Sequence, residues 1–255
     1  MTPLQTEEQY TFILDALAET VAAGETCVGR SYLSRYVASL ESTYTTDENA
    51  VPWQLGDRQF KLLTAFCPVD GQYQSALRIS NQCKNRNFDF LPLDATRVSL
   101  VPRANAAEGS DYINATWLPG FVHLNEFIMT QHPMQQTVSD FWRMVWEHNV
   151  RTMVVLSPSH EEFHPFWPNR QVTLEADNLR IKLLEETGCN GLDIKDFNLS
   201  AVHDSYEVAV KVMFAPGWPL ASPSSFGFRT LSDLVRFAHG THKQASHYGE
   251  QKLHS

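Results

Sequence analysis

The sequence predicts an α/β fold, a twisted mixed sheet flanked by helices. Three observations carry this expectation. Residues 111–158 read as strand, turn, strand, helix, strand. Thr152 to Leu156, TMVVL, is a continuous apolar run of the kind buried on both faces of a parallel sheet. Further strands are expected at Val172–Leu174, Leu179–Leu184, Ile194–Leu199 and Tyr206–Phe214, before a final helical pattern.

A first helix is expected over residues 3–23. Thr2 can cap it, Pro3 suits its first turn, and Gln5 sits where a capping-box partner belongs. Tyr10, Ile13, Leu14, Leu17 and Val21 form its apolar face, and Gly24 stops it. Ser31 to Leu40 is a second short helix, and Glu41 to Pro52 a polar connector. Asp57 to Ala65 is a third helix, with Phe60, Leu62 and Leu63 turned inward, broken by Pro68 to Gly71.

Tyr112 to Trp117 is rich in β-branched and aromatic residues and is punctuated by Pro119-Gly120. Glu126 to Thr130 is a short apolar strand closed by His132-Pro133. Thr137 followed by Asp140 resembles a capping box. Behind it Val138, Phe141, Trp142 and Val145 fall at i, i+3, i+4, i+7 on one helical face, and Asn149 suits a left-handed helix end. Ser222 and Pro223 open the last helix, with Phe228, Leu231, Leu234, Val235 and Ala238 apolar and Gly240 as its stop.

With 255 residues, 43% hydrophobic and 19% charged, the chain has the composition of a globular protein. No apolar run reaches the roughly 18 residues that span a bilayer, and MTPLQTEEQY predicts no signal peptide. A net charge of −9 argues against nucleic acid or an anionic membrane as partner. Cys27, Cys67, Cys83 and Cys189 show no CxxC, which fits a reducing compartment and mostly buried thiols.

DYINA at 111–115, FIMTQHP at 127–133 and TVSDFWRMVWE at 137–147 resemble the protein-tyrosine phosphatase domain. The order and density of these segments make chance a poor explanation. The resemblance implies a phosphotyrosine phosphatase-like mixed sheet, and it covers about residues 5 to 238. QTEEQYTFILDAL resembles the last helix of the first domain in receptor-type members with two tandem domains. The implied organisation is a closing helix of a preceding domain at 1–24, a linker and first helix at 25–56, a partial second domain at 57–238, and a polar tail at 239–255. The family's C-terminal portion is expected to be missing, leaving a sheet with unpaired edges.

Hydrolysis of phosphotyrosine needs a cysteine thiolate of lowered pKa, a nest of N–H groups, an arginine fork and an aspartic acid. The family supplies the first three from H-C, five residues, then arginine. Six residues after the four cysteines stand Leu33, Tyr73, Asp89 and Lys195, and none of the four follows a histidine. The family's W-P-D acid loop corresponds to Trp218-Pro219-Leu220, and leucine has no proton to give. The family's K-N-R-Y phosphotyrosine-recognition loop corresponds to Lys84, Asn85, Arg86 and Asn87, where the ring-stacking tyrosine is replaced by asparagine. Arg86 and Arg97 read as structural.

His160-Glu161-Glu162-Phe163-His164 matches H-E-x-x-H, but that zinc motif works only on a helix, and Pro165 follows at once. His239, His242, His247 and His254 have no metal-ligand spacing. The expectation is a catalytically silent tyrosine-phosphatase-family domain without cofactor or metal. The resemblance implies that such a domain regulates or docks phosphatase domains in cis or trans and signalling proteins, at the cytoplasmic face of the plasma membrane. The alternatives are phosphotyrosine hydrolysis by a longer form of the chain and, more remotely, a zinc hydrolase through His160 and His164.

Overall fold

The computed structural model describes residues 6–23, 27–45, 52–65, 71–104, 108–120, 123–157, 163–189, 191–203, 206–216 and 231–240. The chain divides into two compact units, 1–71 and 72–255.

In the first unit, α1 (Glu7–Ala23) begins one residue after Thr6, whose hydroxyl accepts the Gln9 N–H at 3.3 Å. Thr6 is therefore the cap; Thr2, Pro3 and Gln5 lie outside the described residues. A 3₁₀ turn at Arg30–Tyr32 leads into α2 (Leu33–Glu41). The expected polar connector carries β1 (Thr43–Tyr44), paired antiparallel with β2 (Trp53–Gln54) ahead of α3 (Leu55–Ala65). One expectation of burial fails. Phe60 and Leu63 on α3 are 66% and 70% exposed, and the α1 face from Tyr10 to Val21 is likewise open. Amphipathic spacing names the face a helix can bury, but a unit of 71 residues offers too little apolar surface to cover it.

The second unit opens with two one-turn helices that the sequence reading missed, α4 (Gln74–Leu77) and α5 (Ile79–Gln82). Asp94 anchors the first, accepting the Gln74 and Ser75 N–H groups at 2.8 and 3.0 Å. Strands β3 (Arg97–Ser99), β4 (Tyr112–Leu118) and β5 (Phe127–Thr130) form an antiparallel sheet in that order. A 3₁₀ turn at Gln135–Thr137 feeds α6 (Val138–Glu147).

The expected Thr137–Asp140 capping box does not form. The Thr137 hydroxyl accepts the Met134 N–H at 2.9 Å, so it closes the 3₁₀ turn before the helix. Asp140 is drawn away by three cations. Phe141, Trp142 and Val145 are 4% exposed or less, and Asn149 takes φ 52°, the left-handed end the sequence suggests.

Strands β6 (Thr152–Ser157), β7 (Leu174–Ala176), β8 (Leu179–Cys189), β9 (Leu192–Ala201) and β10 (Glu207–Pro216) build the larger sheet, in the order β6-β10-β9-β8-β7. It is a mixed sheet: β6 runs parallel to β10, and the other pairs are antiparallel. β6 has the parallel pairing expected of it but not the burial. Val154 and Leu156 are 40% and 45% exposed, because among the described residues β6 has a neighbouring strand on one side only.

One core joins the two sheets through α6. Val98 and Ile113 from the smaller sheet, Phe141 and Trp142 from the helix, and Ile181, Phe197 and Val210 from the larger sheet belong to it. The Trp142 Nε1 donates to the Phe166 carbonyl at 2.7 Å, which seats the Phe166-Trp167-Pro168 loop on that core. A helix over 231–240, α7, covers the other face of the sheet. Its Leu234 packs with Leu192, Ile194, Met213 and Ala215, so β10 is buried on both faces over that stretch.

The Asp140 carboxylate is 6% exposed and holds Lys84 at 2.8 Å, Arg143 at 3.3 Å and Arg103 at 3.6 Å. Arg143 also donates to the Val101 and Ser110 carbonyls, and Glu147 accepts the Val101 N–H. Removing the carboxylate leaves the Lys84 ammonium without a counter-charge, while Arg143 keeps Glu147 and Arg103 keeps Asp177. Asp140→Ala is expected to cost about 3–5 kcal/mol by denaturant unfolding, with Asp140→Asn costing less because it still accepts hydrogen bonds.

Candidate functional site

The residues that match the family's recognition loop, Lys84 to Asn87, follow α5 directly and turn across the end of the smaller sheet. Lys84 is not free to meet a ligand. Its ammonium donates to Asp140, to the Gly109 carbonyl at 3.0 Å and to the Tyr112 carbonyl at 3.3 Å. Gly109 sits at φ 88°, and a Cβ there would lie 2.2 Å from the Asn81 Oδ1, so this close approach requires glycine.

Asn85 is the hub of the loop and is 7% exposed. Its Nδ2 donates to the Ala76 carbonyl at 3.0 Å, and its Oδ1 accepts both the Tyr112 hydroxyl at 2.6 Å and the Asn114 Nδ2 at 3.0 Å. Burial pushes the Tyr112 phenol up to about 12, with the Asn85 contact pulling the other way, so Tyr112 remains a hydrogen-bond donor.

Arg86 points back over the loop that follows β5. Its Nε and Nη2 each reach the His132 carbonyl at 3.3 Å, and its guanidinium lies 5.4 Å from the Phe163 ring centre. Gln131 ties the two segments, accepting the Arg86 N–H at 2.9 Å and donating to the Lys84 carbonyl at 2.8 Å. Asn87 is exposed and uses its side chain on its own turn, accepting the Asp89 N–H at 2.8 Å. Phe88 and Phe90 beside it are 54% and 75% exposed. Arg97 pairs with Asp111 at 2.9 Å, the structural role expected of it.

The arrangement is therefore a scaffold in which Lys84 and Asn85 face inward and the exposed Arg86 is tied to main-chain carbonyls. Arg86 spends its donors on main-chain oxygen, and Lys84 is neutralised by Asp140. Asp140, Gln131 and Tyr112 escaped the sequence reading as partners of this loop, because they lie 27 to 56 residues away. The Thr-Gln of FIMTQHP was the one signal that pointed to Gln131.

Other predicted positions are not gathered here. Trp218, Pro219 and Leu220 lie outside the described residues, as do His160, Glu161 and Cys67. His164 is in irregular, non-helical backbone. Among the described residues no three His, Cys, Asp or Glu side chains approach as metal ligands. The expectation of buried thiols fails for Cys27 and Cys83, which are exposed, while Cys189 is half-buried.

His132 stacks on Phe163 at 4.3 Å and meets Phe166 edge-on at 5.1 Å. Burial holds its imidazole below the ordinary histidine value of 6.5, partly countered by the His164 carbonyl, with Arg86 adding to the depression. A depressed pKa means that the unfolded chain takes up the proton first, so stability is complete above the ordinary value and falls as pH drops through the lowered one. Unfolding midpoints taken from about pH 7 to about pH 5 should fall for the wild type and fall less for His132→Asn.

Substitution along the loop tests the inward reading. Asn85→Ala strands two buried donors at about 1–3 kcal/mol each. Asn87→Ala loses only a turn contact, under about 1 kcal/mol, and urea unfolding of the pair measures the contrast.

The protein-tyrosine phosphatase family model matches residues 81–251, beyond the point near 238 where the resemblance was expected to end. The chain is 38% identical over 251 residues to receptor-type tyrosine-protein phosphatase mosPTP-1 of Aedes aegypti, covering 96% of this chain and 18% of that protein. It is 40% identical over 224 residues to tyrosine-protein phosphatase 99A of Drosophila melanogaster, covering 87% of this chain and 16% of that protein. It is 35% identical over 242 residues to receptor-type tyrosine-protein phosphatase zeta of Homo sapiens, covering 90% of this chain and 10% of that protein. The chain thus spans less than a fifth of the length of each of these relatives. Matching segments, mixed sheet and family match converge: the chain belongs to the protein-tyrosine phosphatase family, among receptor-type relatives.

Proposed function

We propose that this chain is a second-domain-like, catalytically silent member of its family that acts by docking to phosphatase domains, at the cytoplasmic face of a receptor. The observation that carries the reading is the recognition loop. Lys84, Asn85 and Arg86 all bind within the fold, and at Asn87 an amide that closes its own turn replaces the aromatic face. The sequence supports it independently, since none of the four cysteines stands in an H-C-x5-R loop and Leu220 occupies the acid position. Three separate requirements of phosphate-ester cleavage are unmet by these residues: the activated thiolate, the forked anion grip and the proton donor.

Docking follows from what such a chain retains. The scaffold is built, and its outward residues near the loop, Phe88 and Phe90, are large and exposed, the kind of aromatic anchor that protein interfaces use. The test is calorimetric titration of the chain with an active receptor-type phosphatase domain. Saturable binding weakened at least ~10-fold by the double change Phe88→Ser and Phe90→Ser is expected. Heats no larger than dilution would overturn the docking role. A second prediction separates silence from mere weakness. Asn87→Tyr combined with Leu220→Asp should leave hydrolysis of an aryl phosphate at the buffer rate, because neither change supplies a nucleophile.

A further inference from the structure

Tyr206 and Arg151 meet where two parallel strands begin. Arg151 directly precedes β6, and Tyr206 directly precedes β10, its neighbour in the larger sheet. The Arg151 Nη2 donates to the Tyr206 hydroxyl oxygen at 3.3 Å. Both side chains are held by further contacts. The Arg151 Nε donates to the Asn149 Oδ1 at 2.9 Å, in the turn that Asn149 makes at φ 52°, and this orients the guanidinium. The Tyr206 ring meets Trp146 edge-on at 5.6 Å, near the C-terminal end of α6. Tyr206 is nonetheless 41% exposed, whereas Tyr112 is sealed in the core.

The pair differs from the other arginine sites in its charge. Arg97, Arg103, Arg143, Arg180 and Arg236 each pair with a carboxylate. Among the described residues no carboxylate pairs with Arg151, whose oriented cation is aimed at a neutral phenol oxygen. A guanidinium keeps its charge at any working pH, and its planar fork matches the oxygens of a phosphate. Access to the ring is favoured by the strand register. β10 pairs with β9 from Glu207 but with β6 only from Lys211, so among the described residues its first turn of ladder has a strand on one side only. Glu207 beside the ring opposes a second negative charge, but it is exposed and screened by water and salt.

We propose that Tyr206 is a phosphorylation site whose phosphoryl group is gripped by Arg151. A protein-tyrosine kinase with ATP supplies the group. The bond from the Tyr206 oxygen to the γ-phosphorus forms as the bond from that phosphorus to the β–γ bridging oxygen breaks. ADP leaves, and the phenol proton passes to the kinase's base. The product carries a charge of about −1.5 to −2 and three strong acceptor oxygens. The neutral contact to Arg151 is thereby replaced by charge-assisted hydrogen bonds. Because Asn149 already orients the guanidinium, little further side-chain freedom is lost. The modification clamps the start of β10 to the turn between α6 and β6, and it stands apart from the docking role.

Two measurements on the full chain test this. After incubation with a broad-specificity tyrosine kinase domain and ATP, peptide mass spectrometry is expected to find a phosphoryl group on Tyr206 and none at that position in Tyr206→Phe. Thermal unfolding then reads the grip on chain made with phosphotyrosine placed at position 206 during translation. Its midpoint is expected to lie about 2–4 °C above that of the unmodified chain. Arg151→Gln keeps a donor for the phenol but loses the charge, and the same modification in that variant should give no gain. Tyr206 left unmodified while other tyrosines are phosphorylated would overturn the proposal. So would a midpoint unchanged or lowered by the modification, or a gain of the same size in Arg151→Gln.

Discussion

The buried carboxylate of Asp140 is the contact on which the second unit depends. It lies in the first turn of α6 and binds the lysine of the recognition loop, an arginine one turn on, and the arginine of the segment between β3 and β4. A lone charge at 6% exposure would be costly. Here the cost is offset by three cations, two of which, Lys84 and Arg143, in turn hold the carbonyls of Val101, Gly109, Ser110 and Tyr112. One ionic centre thereby fixes the smaller sheet, the helix and the loop against each other. It also commits the Lys84 ammonium to Asp140 and two main-chain carbonyls.

This arrangement bears on the proposed separation between family membership and activity. The segments that match, DYINA, FIMTQHP and TVSDFWRMVWE, supply Tyr112, Asn114, Gln131, Asp140, Trp142 and Arg143, all of them partners inside the fold. They specify a scaffold and say nothing of the reacting groups. The loop keeps Lys84, Asn85 and Arg86, all of which bind within the fold, and has Asn87 at the position of the family's tyrosine.

Local patterns in the sequence gave local structure reliably. The spacing of Phe141, Trp142 and Val145 located the buried face of α6, Asn149 marked its left-handed end, and the alternation at 206–214 found β10. What the sequence hid was pairing over distance. Asp140 looked like a cap because Thr137 stands three residues before it, but cations up to 56 residues away compete for the same carboxylate and win. Burial of α3 and β6 was misjudged for a related reason. Periodicity shows which side of an element is apolar, and only the surrounding fold determines whether anything covers it.

The central claim is that this scaffold holds no reacting centre. The most direct measurement is phosphate release from a tyrosyl-phosphorylated peptide by the purified 255-residue chain, followed over hours at high protein concentration. Release indistinguishable from buffer, and unchanged when all four cysteines are replaced by serine, is the predicted result. Turnover at an ordinary enzymatic rate, of order 1 s⁻¹ or faster, would contradict the account.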